Sequence, residues 1–270
     1  MRLIELKYWI LTLAFCSMSA GTALAGVSVT SPTTLEQFVK PGAAVEGQIT
    51  LRNMDAEPCQ VRVFATDYQF YADGRTLFGE PAGQAPRSNA AWITFTPHQV
   101  TVPGHDTASI YYNIQVPSDS TLIGTYWSVL MVEPLAPASL EPPNGKPGVA
   151  VRTAMRYAVQ MITEIGDTGL RGARFVNRQL LDAGGKRTFR MDVENTGERL
   201  LRPTVWAQVF DQKGVSLGKF EGGRIRVYPG CSTRVQIDLS TLPKGQFNAL
   251  IVADNGDESV FGSQMKLDIP

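Results

Sequence analysis

Apolar and polar residues take turns along short stretches of this chain. In residues 48–52, Ile49 and Leu51 alternate with Gln48, Thr50 and Arg52, and the same two-residue period recurs in 60–64, 109–114, 188–193, 224–227 and 234–237. Successive side chains of an extended strand point to opposite faces. The period therefore gives each stretch one buried and one wet face, as in antiparallel sandwiches. Between the stretches stand Lys40-Pro41-Gly42, Asp73-Gly74, Ala183-Gly184-Gly185 and Asn255-Gly256-Asp257, residues that set or tolerate the backbone angles of tight turns. No helical period persists beyond a turn or two. The pattern predicts an all-β chain.

Landmarks in the first half return in the same order in the second. A strand ending in Asn53, then a turn and a strand from Cys59, is answered by a strand ending in Asn195, then a turn and a strand from Thr204. Val102-Pro103-Gly104 is answered by Tyr228-Pro229-Gly230, and Gly124-Thr125-Tyr126 by Gly245-Gln246-Phe247. This repetition predicts two tandem immunoglobulin-like β-sandwiches of the seven-stranded kind. The boundary is placed in Gly166-Asp167-Thr168-Gly169, giving domains at residues 26–166 and 167–270. Residues 1–25 stand apart. A basic start with Arg2 and Lys7, an apolar run over 8–16 and an Ala23-Leu24-Ala25 ending have the three parts of a cleaved export signal. The apolar run is well short of the roughly 20 residues of a membrane-spanning helix, and bulky Phe15 before Cys16 argues against a lipid-modified cysteine. The expectation is export to the periplasm, with no membrane span in the mature chain.

Composition narrows the chemistry. Lys and Arg together number 25, as do Asp and Glu, so no electrostatic footprint for nucleic acid or anionic membrane is present. Export would remove Cys16 and leave Cys59 and Cys231, which fall in different predicted domains; both readings, two buried free thiols or a bridge across the domain interface, stay open. Gly214-Val215-Ser216-Leu217-Gly218 has the spelling of a nucleophile elbow, but no histidine follows His105 and the flanks read as a hairpin. His98 and His105 have no partner set with metal-ligand spacing. The chain is expected to be no enzyme, with no catalytic residue, metal or cofactor.

The longest alternating run, residues 148–161, follows a Pro-rich loop over 134–147. Such a strand exceeds the usual five or six residues and predicts an edge that outruns its neighbours, able to accept or donate a strand by main-chain hydrogen bonding. Residues 150–157, Ala-Val-Arg-Thr-Ala-Met-Arg-Tyr, in this layout resemble the last first-domain strand of periplasmic pilus assembly chaperones. The resemblance implies a non-enzymatic chaperone that binds exported fibre subunits by strand addition, with an outer-membrane usher as a further partner. It assigns Val149, Val151 and Thr153 to the subunit groove and Arg156 to the subunit's C-terminal carboxylate, a group that suits the bidentate guanidinium, with Met155 as a further partner-binding candidate. Arg152 shares the face of Arg156. The family carries a second basic residue in its first strand, where residues 26–31 here offer Thr30 and Ser31. The competing reading is a structural or adhesive pair of immunoglobulin-like domains at a cell surface.

Overall fold

The computed structural model describes residues 26–135 and 155–269. The first half holds β1 (Val27–Val29), β2 (Thr34–Val39), β3 (Ala44–Asn53), β4 (Cys59–Phe70), β5 (Thr76–Gly79), β6 (Ile93–Thr96), β7 (Gln99–Val102), β8 (Thr107–Gln115), β9 (Gly124–Pro134) and β10 (Tyr157–Ile165). The second holds β11 (Ala173–Ala183), β12 (Lys186–Asn195), β13 (Thr204–Phe210), β14 (Ser216–Arg224), β15 (Ser232–Asp238), β16 (Gly245–Asp254) and β17 (Val260–Ile269). Among the described residues, a single 3-10 turn at Ala90–Trp92 is the one helical piece.

Each half is a sandwich with its own core. In the first, a sheet in the order β1-β3-β8-β6 faces a sheet in the order β2-β10-β9-β4-β5, with β7 also on β4. Ile49, Leu51, Ile110, Ile114, Leu130, Val132, Val159 and Met161 fill the space between them. In the second, β11-β12-β15 faces β14-β13-β16-β17 around Phe189, Met191, Val205, Val209, Ile237 and Ile251. Among the described residues the second sandwich has seven strands, as predicted, whereas the first has ten. Its N-terminal strand is split: β1 pairs antiparallel with β3 in one sheet, and after Pro32, β2 pairs parallel with β10 in the other. Proline has no N–H to give to a ladder, so the break falls where the chain changes sheets.

The internal repeat extends to side-chain chemistry. Asn53 is fully buried at the end of β3; its amide donates to the carbonyls of Glu57 (2.7 Å) and Val102 (3.2 Å), and its Oδ1 accepts from Asp55 N–H. Asn195 at the end of β12 donates to Arg199 (2.7 Å) and Val227 (2.8 Å) and accepts from Gly197 N–H. In both halves one buried amide closes the turn that leaves the strand.

A third apolar cluster joins the sandwiches. Trp127 and Ile162 from the first half pack with Leu200, Val227, Tyr228 and Cys231 from the second. Tyr228 stacks on Trp127 at 4.7 Å between ring centroids and meets Phe70 and Tyr68 edge-on. Alternation fails along β9 for this reason: nearly all of its residues are buried, because one face meets the core and the other the neighbouring sandwich. Both Cys59 and Cys231 are free thiols.

Candidate functional site

β10 is paired with β9 along its whole length, from Tyr157 opposite Val132 to Ile165 opposite Gly124. Its other side is covered by β2 from Gln160 onward, where Gln160 N–H donates to Thr33 O at 2.8 Å and Gln160 stands opposite Thr34. Among the described residues nothing pairs with that side before Gln160. The cause is the split first strand: its upper part is spent on β3, so β2 reaches only the lower part of β10. Backbone groups alternate sides along a strand. Since Gln160 N–H faces β2, the N–H and C=O of Ala158 face the same, uncovered side.

Side chains of β10 sort by parity. Tyr157, Val159 and Met161 point into the first core, while Ala158, Gln160 and Ile162 point outward toward the second sandwich. Tyr228 hydroxyl donates to Gln160 Oε1, and Arg226 lies 3.4 Å from Thr34 Oγ1 and 3.5 Å from Gln160 Oε1. Deeper in this junction Arg202 pairs with Glu36 and lies 3.7 Å from Glu164. Thr125 hydroxyl donates to Glu164 Oε2 at 2.8 Å and accepts from Leu200 N–H at 2.8 Å. Burial raises the Glu164 carboxyl above its ordinary range, and burial likewise raises the Tyr228 phenol, keeping it a hydrogen-bond donor.

Of the residues assigned to partner binding, Val149, Val151, Arg152 and Thr153 lie outside the described residues. Met155 is half exposed, at 51%, and precedes the strand, which begins at Tyr157 rather than running unbroken through 155 and 156. Arg156 is 61% exposed in its side chain and pairs with Glu133 Oε1. Glu133, with only 11% of its side chain exposed, also accepts two hydrogen bonds from Arg62, at 2.5 and 3.1 Å. Thr30 and Ser31 turn back onto β3: Thr30 Oγ1 donates to Thr50 O, and Ser31 Oγ accepts from Thr50 N–H. Among the described residues, Thr30 and Ser31 stand where the resemblance would put a cation. Glu133, Arg62, Gln160, Tyr228 and Arg226 were not singled out from the sequence, since their partners are set by strand register and domain docking. Arg62, Gln160 and Arg226 did stand as polar positions in alternating runs, a signal that gives each a wet face on a strand but names no partner.

Within the Gly214–Gly218 run, Gly214 and Val215 finish a hairpin turn in which Asp211 Oδ1 accepts from Lys213 and Val215 N–H, and Ser216 already opens β14, a strand rather than a helix. His98 meets the Phe95 ring edge-on, and His105 sits in a turn with φ +55°. Among the described residues no helix is long and apolar enough to cross a membrane.

No family model and no curated protein matches the chain. Among solved structures it is similar to a class 5 fimbriae chaperone, CfaA, at 12% identity over 91% of this chain and 100% of that one, with a TM-score of 0.47. It is similar to the E. coli chaperone DraB at 12% identity over 91% and 97% of the two chains, TM-score 0.42. It also resembles a chain of the Salmonella enterica SafA pilin in complex with the SafB chaperone, at 14% identity over 90% and 97%, TM-score 0.40.

Proposed function

We propose that this chain is a non-enzymatic, periplasmic chaperone-like protein that binds exported fibre subunits by strand addition on the upper part of β10. The observation that carries the reading is the uncovered backbone edge before Gln160. An unpaired edge is a template for another strand, and natural proteins usually blunt one with bulges, prolines or a covering element. Among the described residues it is left open beside a well-formed ladder to β9. Ladder hydrogen bonds would supply affinity, and alternate side chains specificity. In this reading the first domain, residues 26–166, holds the binding edge, and the second, 167–270, braces it through Tyr228 and Gln160. Val149, Val151, Thr153 and Met155 would enter the subunit's groove. Arg156 and Arg152 would flank it.

Ala158→Pro tests this directly. It removes an N–H that points to the uncovered side and leaves the β9 ladder intact, a position where strands tolerate proline. Tagged wild-type protein purified from the periplasm should carry a fibre subunit, with slowed amide exchange at residues 155–159 in the complex. The variant should melt near the wild type and lose the subunit. A subunit retained equally by the variant, or exchange unchanged on binding, would refute strand addition at this edge.

A further inference from the structure

Arg62, Glu133 and Arg156 form a row across three neighbouring strands. Arg62 on β4 stands opposite Glu133 on β9. Tyr157 stands opposite Val132, so the register carried one residue back sets Arg156 opposite Glu133, and their ion pair agrees. All three lie on the outer face of the sheet, since Val61 and Val63 beside Arg62 point into the core. The row reads plus, minus, plus from β4 to the rim of β10. One carboxylate between two guanidiniums leaves one positive charge uncompensated, and the outermost member, Arg156, is exposed on the side where, among the described residues, β10 has no neighbour.

We infer that the strand accepted at this edge carries an acidic side chain, Asp or Glu, in the position directly opposite Arg156. The inference rests on the strand-addition reading and names the chemistry of the partner at one rung. Directly opposed side chains on adjacent strands bring their Cβ atoms within about 5.5 Å, close enough for a carboxylate to reach the guanidinium. An acid there extends the row to plus, minus, plus, minus and neutralises it; a Lys or Arg faces a like charge with no acid on its own side. The group is an internal side chain rather than a chain end. Arg156 lies four residues before Gln160, or about 13 Å at roughly 3.3 Å per residue, so a strand that runs down to the start of β2 passes Arg156 in mid-course. Glu133 is the internal competitor for Arg156: it lowers the need for an outside carboxylate without removing it, because Arg62 claims the same acid.

The test uses N-acetylated, C-amidated nine-residue peptides of alternating Val and Thr, labelled for fluorescence anisotropy. A single Glu, Gln or Lys is moved through the positions that can face Arg156. The best Glu peptide should bind the mature protein about fivefold tighter than its Lys counterpart, in keeping with opposed charge pairs in sheets, with Gln between them. Arg156→Glu should invert that order. Glu133→Gln, which frees both guanidiniums, should widen the Glu preference. Peptides that bind and are lost on Ala158→Pro, yet show the same affinity for Glu, Gln and Lys at every position, would overturn the acidic rung while leaving strand addition standing. The same peptides made with a free C-terminal carboxylate are the control: tight binding by that form alone, indifferent to internal Glu, would overturn it as well. If no peptide binds in an Ala158→Pro-sensitive way, strand addition fails and takes the acidic rung with it.

Discussion

Tyr228 carries the aromatic part of the coupling between the two sandwiches. It is 1% exposed, and its ring neighbours Trp127, Phe70 and Tyr68 all come from the first half of the chain. The two main cores contain none of them. Truncation in Tyr228→Ala removes an aromatic group that typically buries about 150–250 Å². At about 25 cal/mol/Å² that is roughly 4–6 kcal/mol as an upper figure, and aromatic-to-alanine changes in cores cost about 3–5 kcal/mol. A loss of about 4 kcal/mol is expected, of which the hydrogen bond to Gln160 accounts for about 1 kcal/mol. Tyr228→Phe isolates that smaller part. Because the loss falls between the sandwiches and not within either, calorimetry should show the single unfolding transition of the wild type resolve into two in Tyr228→Ala and remain single in Tyr228→Phe. Small-angle scattering should show a broader envelope for the alanine variant. A single transition in Tyr228→Ala displaced by less than about 1 kcal/mol, or equal effects of the two substitutions, would refute the assignment of docking energy to this ring.

Gly124 tests the same junction through the backbone: at φ +72°, with a Cβ placed 2.2 Å from Glu198 O, Gly124→Ala should destabilise by about 2 kcal/mol or more, measured by urea unfolding, and an effect under about 0.5 kcal/mol would contradict the close approach. Burial raises the Glu164 carboxyl despite hydrogen bonding from Thr125 and attraction to Arg202 and Arg199, with Glu36 adding to the rise. The folded state then holds this proton more tightly than the unfolded state, so its contribution falls as pH rises from the ordinary glutamate range, about 4.3, through the raised folded value, and is level above it. Unfolding measured from pH 4 to 8 should therefore show a smaller drop with rising pH in Glu164→Gln than in the wild type; identical slopes would count against it. Burial raises the thiol pKa of both Cys231 and Cys59, and Cys231 is almost wholly enclosed. Iodoacetamide on the native mature protein should label Cys59 slowly and Cys231 far more slowly still, and both should react in guanidinium without reductant. A bridge would appear as two thiols gained only on reduction.

How much of this was legible beforehand differs between the fold and the edge. Residues 48–52, 60–64, 109–114, 188–193 and 234–237 fall within β3, β4, β8, β12 and β15, because one face against a core and one against water impose a period of two. The run 224–227 departs from this. β14 ends at Arg224, and Val227 makes one isolated bridge to Leu201, since Val227 and Tyr228 are drawn into the junction between the sandwiches. Arg156 was legible as a candidate by its place in the long run. Its engagement with Glu133 was not, because that contact depends on a partner 23 positions earlier in the chain, brought alongside by the β9–β10 register.

The sequence by itself determined what local physics can determine: strand positions from alternation, turns from Gly, Pro, Asn and Asp, and the tandem order from paired landmarks such as Asn53 and Asn195. Tertiary structure decided the rest. Which side of β10 is uncovered depends on where the split first strand crosses from β3 to β10, a matter of sheet pairing that no single run of residues encodes. The charge row and the Tyr228 stack bring together residues from distant parts of the chain, and only register and docking could place them in contact.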